Sequence, residues 1–170
     1  MHVLIAILTV IAAWLWGDWR NWLRYYPTMQ FMALGNLTYN FICSNNFLWR
    51  FIPDSFSNYT IMELTYTFIV FPASALLFLS NYPDGTFHKK AIYYIKWILA
   101  YITVEYFFLI KNGIIYQHGW NIWWSIAFLI IMFILIRLHH TKPLLGYLCA
   151  AILGFFITFY FDLPARSLLN

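Results

Sequence analysis

Long apolar runs, interrupted by few charged residues, constrain this chain more than any other feature of its sequence. Only 9% of its 170 residues are charged, 63% are hydrophobic, and the mean hydropathy is +0.68. A water-soluble domain carries roughly 25% charged residues, so we predict an integral membrane protein. Because the lipid interior offers the backbone no hydrogen-bond partners, runs of this length are predicted to form helices.

Six segments are candidates for membrane-spanning helices, each of which needs roughly 20 apolar residues. They are Val3–Trp16, Thr28–Ile52, Ile61–Ser80, Ala91–Ile110, Ile122–Leu138 and Leu144–Leu163. The first segment is short, so the count is five if it does not cross, and the second could end near Ser44. Turn-forming residues such as those in PDG separate the segments. We therefore predict an all-α protein, a single polytopic transmembrane helical bundle over residues 1–170.

The distribution of lysine and arginine predicts the orientation, because cytoplasmic connections of membrane proteins are enriched in these residues. The odd-numbered connections and their flanks hold Arg20, Arg24, Lys89, Lys90, Lys96, Arg137 and Lys142. The other side holds Arg50, Lys111 and Arg166. This distribution predicts cytoplasmic odd-numbered connections and both termini outside. No basic residue precedes the first apolar run, unlike in a cleaved signal peptide, so that run is expected to remain as a helix.

Polar residues within the apolar segments are expected to gather near the outer surface. Glu105 lies in the outer half of the fourth segment, and Asn36 and Asn40 are four residues apart, hence on one face of the second. A carboxylate in hydrocarbon is costly, so Glu105 should face the bundle interior and pair with an asparagine, Arg50 or Tyr101. The predicted ligand-binding pocket opens outward among the second, third and fourth segments and is lined by Asn36, Asn40, Arg50, Glu63, Tyr101 and Glu105, with Tyr39 and Tyr66 as walls.

Each of these residues also has a structural interpretation. Glu63 ends the sequence Thr60-Ile-Met-Glu63, which is typical of a capping box, and could serve only to cap a helix. The two asparagines could join neighbouring helices by hydrogen bonds, and Arg50 could extend to the membrane interface. Glu105 could likewise be a structural hydrogen-bond acceptor. The sequence leaves these alternatives open.

The remaining chemistry-bearing residues predict no cofactor and no metal. The histidines lie near the N-terminus or in connections, so none is predicted at a depth where it could ligate a haem within the membrane. Catalytic and phosphate-binding motifs are missing from the sequence. Cys43 and Cys149 are expected to be buried and inert. The scattered basic residues form no face that could follow phosphates, so we expect no nucleic-acid partner.

Five stretches of the sequence are distinctive as a set: AAWLWGDWRNWLRYYPTMQF, LGNLTYNF, FIVFPASALLFLSNYP, GWNIWWS and KPLL. Together they resemble a family of small multi-pass membrane proteins from Bacillus-like and Clostridium-like spore-forming bacteria, and the resemblance covers nearly the whole chain. It implies a bacterial plasma membrane location and a shared helical architecture, but no activity and no functional residue. In similar chains an acidic residue is expected at the position of Asn36. This expectation indicates that the position must be polar, which favours the predicted pocket.

Three functions are compatible with these features. The first is binding or transport of a small polar molecule, ion or lipid headgroup that enters the polar pocket from outside. The second is a non-enzymatic accessory subunit of a larger membrane complex, or a homo-oligomer, because the chain is small and rich in aromatic residues. The third, an intramembrane enzyme, would need Glu63 and Glu105 as paired carboxylates and is less favoured. We favour binding or transport slightly over the accessory role. In each case the lipid bilayer is the expected surrounding partner.

Overall fold

The computed structural model describes residues 1–44, 46–54 and 58–163 and is predominantly helical, which confirms the predicted class. Its six helices are, in chain order, α1 (His2–Trp16), α2 (Trp22–Ile42), α3 (Tyr59–Ser80), α4 (Phe87–Ile110), α5 (Ile122–Thr141) and α6 (Pro143–Tyr160). A 3₁₀ turn, Trp19–Asn21, precedes α2, and α3 widens into a π-helical turn at Tyr66–Val70. Two short strands, β1 (Trp49–Phe51) and β2 (Ile114–Tyr116), lie in the connections after α2 and α4.

Four of these helices, α3 to α6, are long and apolar enough to cross a membrane, with 22, 24, 20 and 18 residues. The helix α1 and the segment Trp19–Ile42 meet the same criterion only as a pair, and the pair is bent by 88° at the break between them. The described residues thus contain four candidate membrane-spanning helices, or five if the bent pair is one broken span. This range includes the lower of the two predicted counts, and six complete spans remain a prediction.

The predicted boundaries of the second segment, Thr28–Ile52, are wrong at both ends. The helix α2 begins at Trp22 because Pro27 is accommodated inside it, although proline lacks an N–H donor and usually lies at a helix start. It ends at Ile42, ten residues earlier than the main prediction and close to the alternative end near Ser44. Further along the chain, the backbone of residues 48–51 is bound in part by the pairing of β1 with β2 and in part by the Tyr39 hydroxyl, which accepts from the N–H groups of Leu48 and Trp49.

The helix connections meet at two ends of the bundle. At the first, which we call the strand end, β1 and β2 pair antiparallel in the register Trp49↔Tyr116, Arg50↔Ile115 and Phe51↔Ile114. We call the second the basic end, because it holds the connections that are richest in lysine and arginine. There Asn81 Nδ2 donates to the Trp16 carbonyl at 2.8 Å. There too, Thr28 Oγ1 lies 2.9 Å from His139 Nδ1. The first contact joins the first connection to the third, and the guanidinium carbon of Arg137, which lies 4.3 Å from the centroid of the Tyr82 ring, brings the end of α5 to the third connection as well.

The core is built around α3. In the most apolar 18-residue stretch of each helix, 56% is buried in α3, against 6% in α4 and 6% in α6. Phe78 of α3 is fully buried. Its ring contacts the surrounding aromatic rings of Tyr82, Tyr93, Tyr94, Trp97 and Phe133. Ring pairs of this kind add stabilisation beyond the area that they bury. The helix α3 is therefore central, whereas α4 and α6 turn most of their surface outward.

Candidate functional site

A cleft of about 250 Å³ opens at the strand end, between the last turns of α2, strand β1 and the first turns of α3. One water molecule occupies about 30 Å³ of liquid, and pockets for drug-sized ligands begin near roughly 300 Å³. The cleft is therefore of a size for a small molecule or a lipid headgroup. Its lining mixes apolar, polar and charged side chains, namely Leu37, Asn40, Ser44, Arg50, Tyr59, Thr60, Glu63, Leu64 and Thr67.

Asn36 and Asn40 lie on one face of α2, as predicted, and both reach across to α3. The Asn40 Nδ2 atom donates to Glu63 Oε2 at 2.9 Å, and Asn36 Nδ2 donates to Thr67 Oγ1 at 2.8 Å. Thr67 lies in the π-helical turn of α3, where an i→i+5 bond widens the backbone. Interhelical bonds of this kind contribute roughly 0.6–2 kcal/mol each in membranes. The asparagines therefore hold α2 against α3, and Asn40 also lines the cleft.

Glu63 is not a helix cap, so the capping-box prediction was wrong. The residue that caps α3 is Asn58, whose Oδ1 accepts a hydrogen bond from the Ile61 backbone N–H at 2.8 Å. With the helix starting at Tyr59, Glu63 falls in the second turn, beyond the position that a capping box requires. Its half-buried carboxylate instead accepts from Asn40 and keeps further acceptor sites on its oxygens.

Arg50 lies at the centre of β1 and its side chain stays within the cleft lining. Its guanidinium carbon lies 4.2 Å from the centroid of the Phe47 ring and 4.9 Å from that of Tyr59. Its Nη2 donates to the Ser44 carbonyl at 3.2 Å. Placement over aromatic faces stabilises a cation by about 0.5–2 kcal/mol, depending on desolvation. Local contacts therefore hold this cation beside the cleft.

Glu105 lies outside the cleft, and the prediction that it pairs with an asparagine, Arg50 or Tyr101 was wrong. Its Oε1 accepts hydrogen bonds from Tyr116 Oη and Ser125 Oγ, each at 2.5 Å. Ser125 also accepts from Trp120 Nε1 at 3.0 Å. The carboxylate therefore joins α4 to β2 and to the start of α5, which is the structural role that the sequence left open.

Tyr116 takes part in this network as a hydrogen-bond donor. Burial, and the adjacent Glu105 carboxylate, raise the pKa of the Tyr116 phenol above its ordinary value, so the hydroxyl keeps its proton. The sequence analysis missed Tyr116 and Trp120, which lie in the connection to α5. The only signal for them was the polar Ser125 at the outer start of the fifth segment. Glu63 and Glu105 belong to separate networks, which gives no support to paired-carboxylate catalysis.

Tyr101, Tyr39 and Tyr66 are not in the cleft lining either. The Tyr101 ring lies 5.3 Å from that of Phe133 in the aromatic core, and among the described residues its buried hydroxyl has no hydrogen-bond partner. Tyr39 Oη donates to the Trp49 carbonyl at 2.6 Å and accepts from the Trp49 N–H at 2.9 Å, which ties β1 to α2. The predicted walls are therefore structural supports for the strand end.

His2 is a structural residue that the sequence analysis missed. It is only 2% exposed, and its Nε2 lies 2.8 Å from the Ile52 carbonyl while its Nδ1 lies 3.0 Å from Tyr66 Oη. A carbonyl only accepts, so Nε2 carries the proton and, in the neutral ring, Nδ1 accepts from the tyrosine. The ring also stacks on Phe108 at 4.8 Å. His2 thus connects α1 to α3, α4 and the segment after β1, and no sequence pattern signalled this burial.

Comparison with known proteins assigns no function to these residues. No family model, curated protein or solved structure matches the chain. Within the described ranges, no group of three or more His, Cys, Asp or Glu side chains is arranged to hold a metal ion. The resemblance to membrane proteins of spore-forming bacteria stays a prediction, and a functional proposal must rest on the cleft.

Proposed function

We propose that this protein is a small integral membrane protein that binds a small polar ligand in the cleft between α2 and α3. The observation that carries the proposal is the gathering of Asn40, Arg50 and Glu63 around one open space of about 250 Å³. Most ligand sites are concave and combine apolar walls with a few convergent polar groups. The ligand class is a small polar molecule, an ion or a lipid headgroup, and binding is the first step of transport if the protein is a transporter.

We further propose six crossings of a bacterial plasma membrane, with both termini and the cleft outside. Support comes from the connections that meet at the basic end, because cytoplasmic connections are enriched in lysine and arginine. Basic residues within or next to these connections are Arg20, Arg24, Lys89, Lys90, Arg137 and Lys142, whereas Lys96 lies further along α4. Arg50 and Lys111 lie near the strand end, and Arg166 lies outside the described residues.

The cleft also offers a route for a ligand to enter. Leu37 and Leu64 contribute to its lining and are 41% and 48% exposed, so one side of the cleft reaches the outer surface of the bundle. Arg50 and Tyr59, by contrast, bring polar groups to the same opening. A molecule could therefore approach from the membrane interface, with its polar part directed to Asn40 and Glu63.

The experiment measures thermal unfolding of the purified protein in detergent with a panel of small anions, cations, neutral polyols and zwitterions. We expect at least one of them to raise the melting temperature of the wild type. Thr60→Phe, which fills the cleft from an exposed position, should abolish that shift. Lys111→Gln removes an exposed charge near the same end but outside the cleft lining, and it should preserve the shift. Equal shifts in Thr60→Phe and the wild type, or no shift with any compound, would contradict a ligand site in the cleft.

A second candidate function is that of an accessory subunit in a membrane complex. It is favoured by the outward-facing surfaces of α4 and α6, of which α6 exposes Phe155, Phe156 and Phe159 by 68%, 51% and 83%. Large aromatic side chains are enriched in protein–protein interfaces, although lipid tails can cover the same surface. Cross-linking in native membranes followed by mass spectrometry separates the two, because an accessory subunit should yield reproducible cross-links from α4 or α6. Recovery of the solitary chain alone would argue against it.

A further inference from the structure

We infer that the cleft recognises a zwitterion, whose anionic group binds at Arg50 and whose primary ammonium binds at Glu63. This inference rests on the proposed function and names the chemistry of its ligand. Its basis is that two side chains of opposite charge line one small cleft. They lie there without forming an ion pair within 4.0 Å, and each retains capacity for hydrogen bonds.

The two charges do not form an ion pair. Among the described residues, the one ion pair within 4.0 Å joins the α-ammonium group of Met1 to Asp54. Arg50 is held by the Ser44 carbonyl and by the faces of two aromatic rings, and none of these partners is an anion. Glu63 accepts from the amide of Asn40, which is not a cation either.

Arg50 has the geometry for an anionic group. A guanidinium carries five N–H donors in a planar fork, which matches the spacing of phosphate and carboxylate oxygens. The contact with the Ser44 carbonyl uses the Nη2 atom and leaves other donors for a ligand. The rings of Phe47 and Tyr59 restrict the guanidinium, so a ligand meets a cation whose position is already set.

Glu63 and Asn40 together offer the acceptors that a primary ammonium needs. An ammonium group donates up to three hydrogen bonds and accepts none. Glu63 keeps acceptor sites beyond the one that Asn40 Nδ2 occupies. Among the described residues, the Asn40 Oδ1 receives only a long contact of 3.5 Å from Tyr59 Oη, so it too can accept from a ligand.

The opposite charges also exclude simpler ligands. A lone anion at Arg50 would be repelled by the Glu63 carboxylate in the same cleft, and a lone cation at Glu63 would be repelled by Arg50. Repulsion of the wrong ligand is a common source of specificity. A quaternary ammonium carries no N–H and would leave the acceptors of Glu63 and Asn40 unmatched, so a primary ammonium is preferred. Phosphoethanolamine has this chemistry, either as a free molecule or as the headgroup of phosphatidylethanolamine.

The first arm of the test uses soluble compounds and the full-length protein in detergent. Calorimetry compares O-phosphoethanolamine with phosphocholine, inorganic phosphate and ethanolamine. A hydrogen bond to a charged group corresponds to roughly tenfold or more in affinity. We therefore expect O-phosphoethanolamine to bind about tenfold tighter than each of the other three. Equal binding of inorganic phosphate would overturn the zwitterion inference while leaving a ligand-binding cleft in place.

Variants connect this preference to the two side chains. Glu63→Gln keeps an acceptor for Asn40, so the bond between α2 and α3 survives, but it should weaken phosphoethanolamine binding about tenfold. Arg50→Gln should cause a similar loss, and Arg50→Lys should recover part of it, which separates loss of charge from loss of fold. Lys111→Gln is the matched control and should bind as the wild type does. Unchanged affinity in Glu63→Gln would overturn the inference.

The second arm identifies the source of the zwitterion. The protein is placed in nanodiscs with equal amounts of phosphatidylethanolamine, phosphatidylcholine and phosphatidylglycerol, and lipids that remain bound are counted by native mass spectrometry. Preferential retention of phosphatidylethanolamine, lost in Glu63→Gln, supports a lipid headgroup, whereas binding in the soluble arm alone supports a free zwitterion. Absence of both preferences overturns the inference. The proposed function falls with it only if no compound shifts the melting temperature or if Thr60→Phe leaves every ligand-induced shift unchanged.

Discussion

Replacement of Gly146 by alanine should separate α5 from α6, because their backbones approach closely at this glycine. A Cβ atom added at Gly146 would lie 2.7 Å from both Cα and Cβ of His139 and 3.1 Å from its backbone nitrogen. Carbon atoms pack best at about 3.5–4.0 Å, so the helices must move apart by about 1 Å. Two of the three contacted atoms belong to the backbone, and no side-chain rotation can relieve their overlap.

The size of the effect follows from two opposing terms. Forcing an extra carbon into a close-packed site costs about 1–3 kcal/mol, and the overlap with backbone places Gly146→Ala near the upper value. Alanine in place of glycine favours the helix by about 1 kcal/mol. We therefore expect the free energy of unfolding to fall by about 2 kcal/mol.

Gly154 on the same helix provides the matched control. Among the described residues, no atom outside its own helical backbone lies within 4 Å of a Cβ built there. Gly154→Ala should therefore raise the free energy of unfolding by up to about 1 kcal/mol. Reversible unfolding in mixed micelles, followed by tryptophan fluorescence, measures both variants. Changes of the same sign and size at the two glycines would refute the close approach of α5 and α6.

Further predictions concern the carboxylate network, the start of α3 and the buried thiol. Glu105→Gln and Ser125→Ala should each destabilise the protein and should be non-additive by about 0.5–2 kcal/mol, because they share one hydrogen bond; additive losses in a double-mutant cycle would contradict this. Asn58→Ala should lower the free energy of unfolding by about 1 kcal/mol, because it removes the N-cap of α3, whereas Thr60→Ala should change the unfolding midpoint little. A larger loss in Thr60→Ala than in Asn58→Ala would favour the capping box instead. Burial raises the pKa of the Cys43 thiol to about 11. In a variant that lacks the other cysteine, maleimide labelling of the folded protein should therefore be slow at pH 7.5 and should accelerate as the pH approaches 11. Rapid labelling at pH 7.5 would show that the thiol is accessible.

Several features of this protein could be predicted from sequence because they depend on composition and length. Runs of apolar residues long enough to span a bilayer must form helices, since the backbone has no other way to satisfy its polar groups. The starts and ends of Ile61–Ser80 and Ile122–Leu138 were accordingly predicted within a few residues. The spacing of Asn36 and Asn40 likewise placed both on one face of α2, where the structure has them.

The tertiary structure alone determined which face of each helix meets which neighbour. In a soluble protein the polar face of a helix points to water and the pattern reveals the buried side. Lipid tails are as apolar as the core, so the sequence of α4 does not distinguish its buried face from its lipid-facing face. The partners of Glu105 are supplied by β2 and α5, and Arg50 reaches the cleft because β1 pairs with β2. Pairings between distant segments of this kind decide which polar groups share a site, and hydropathy along the chain carries no record of them.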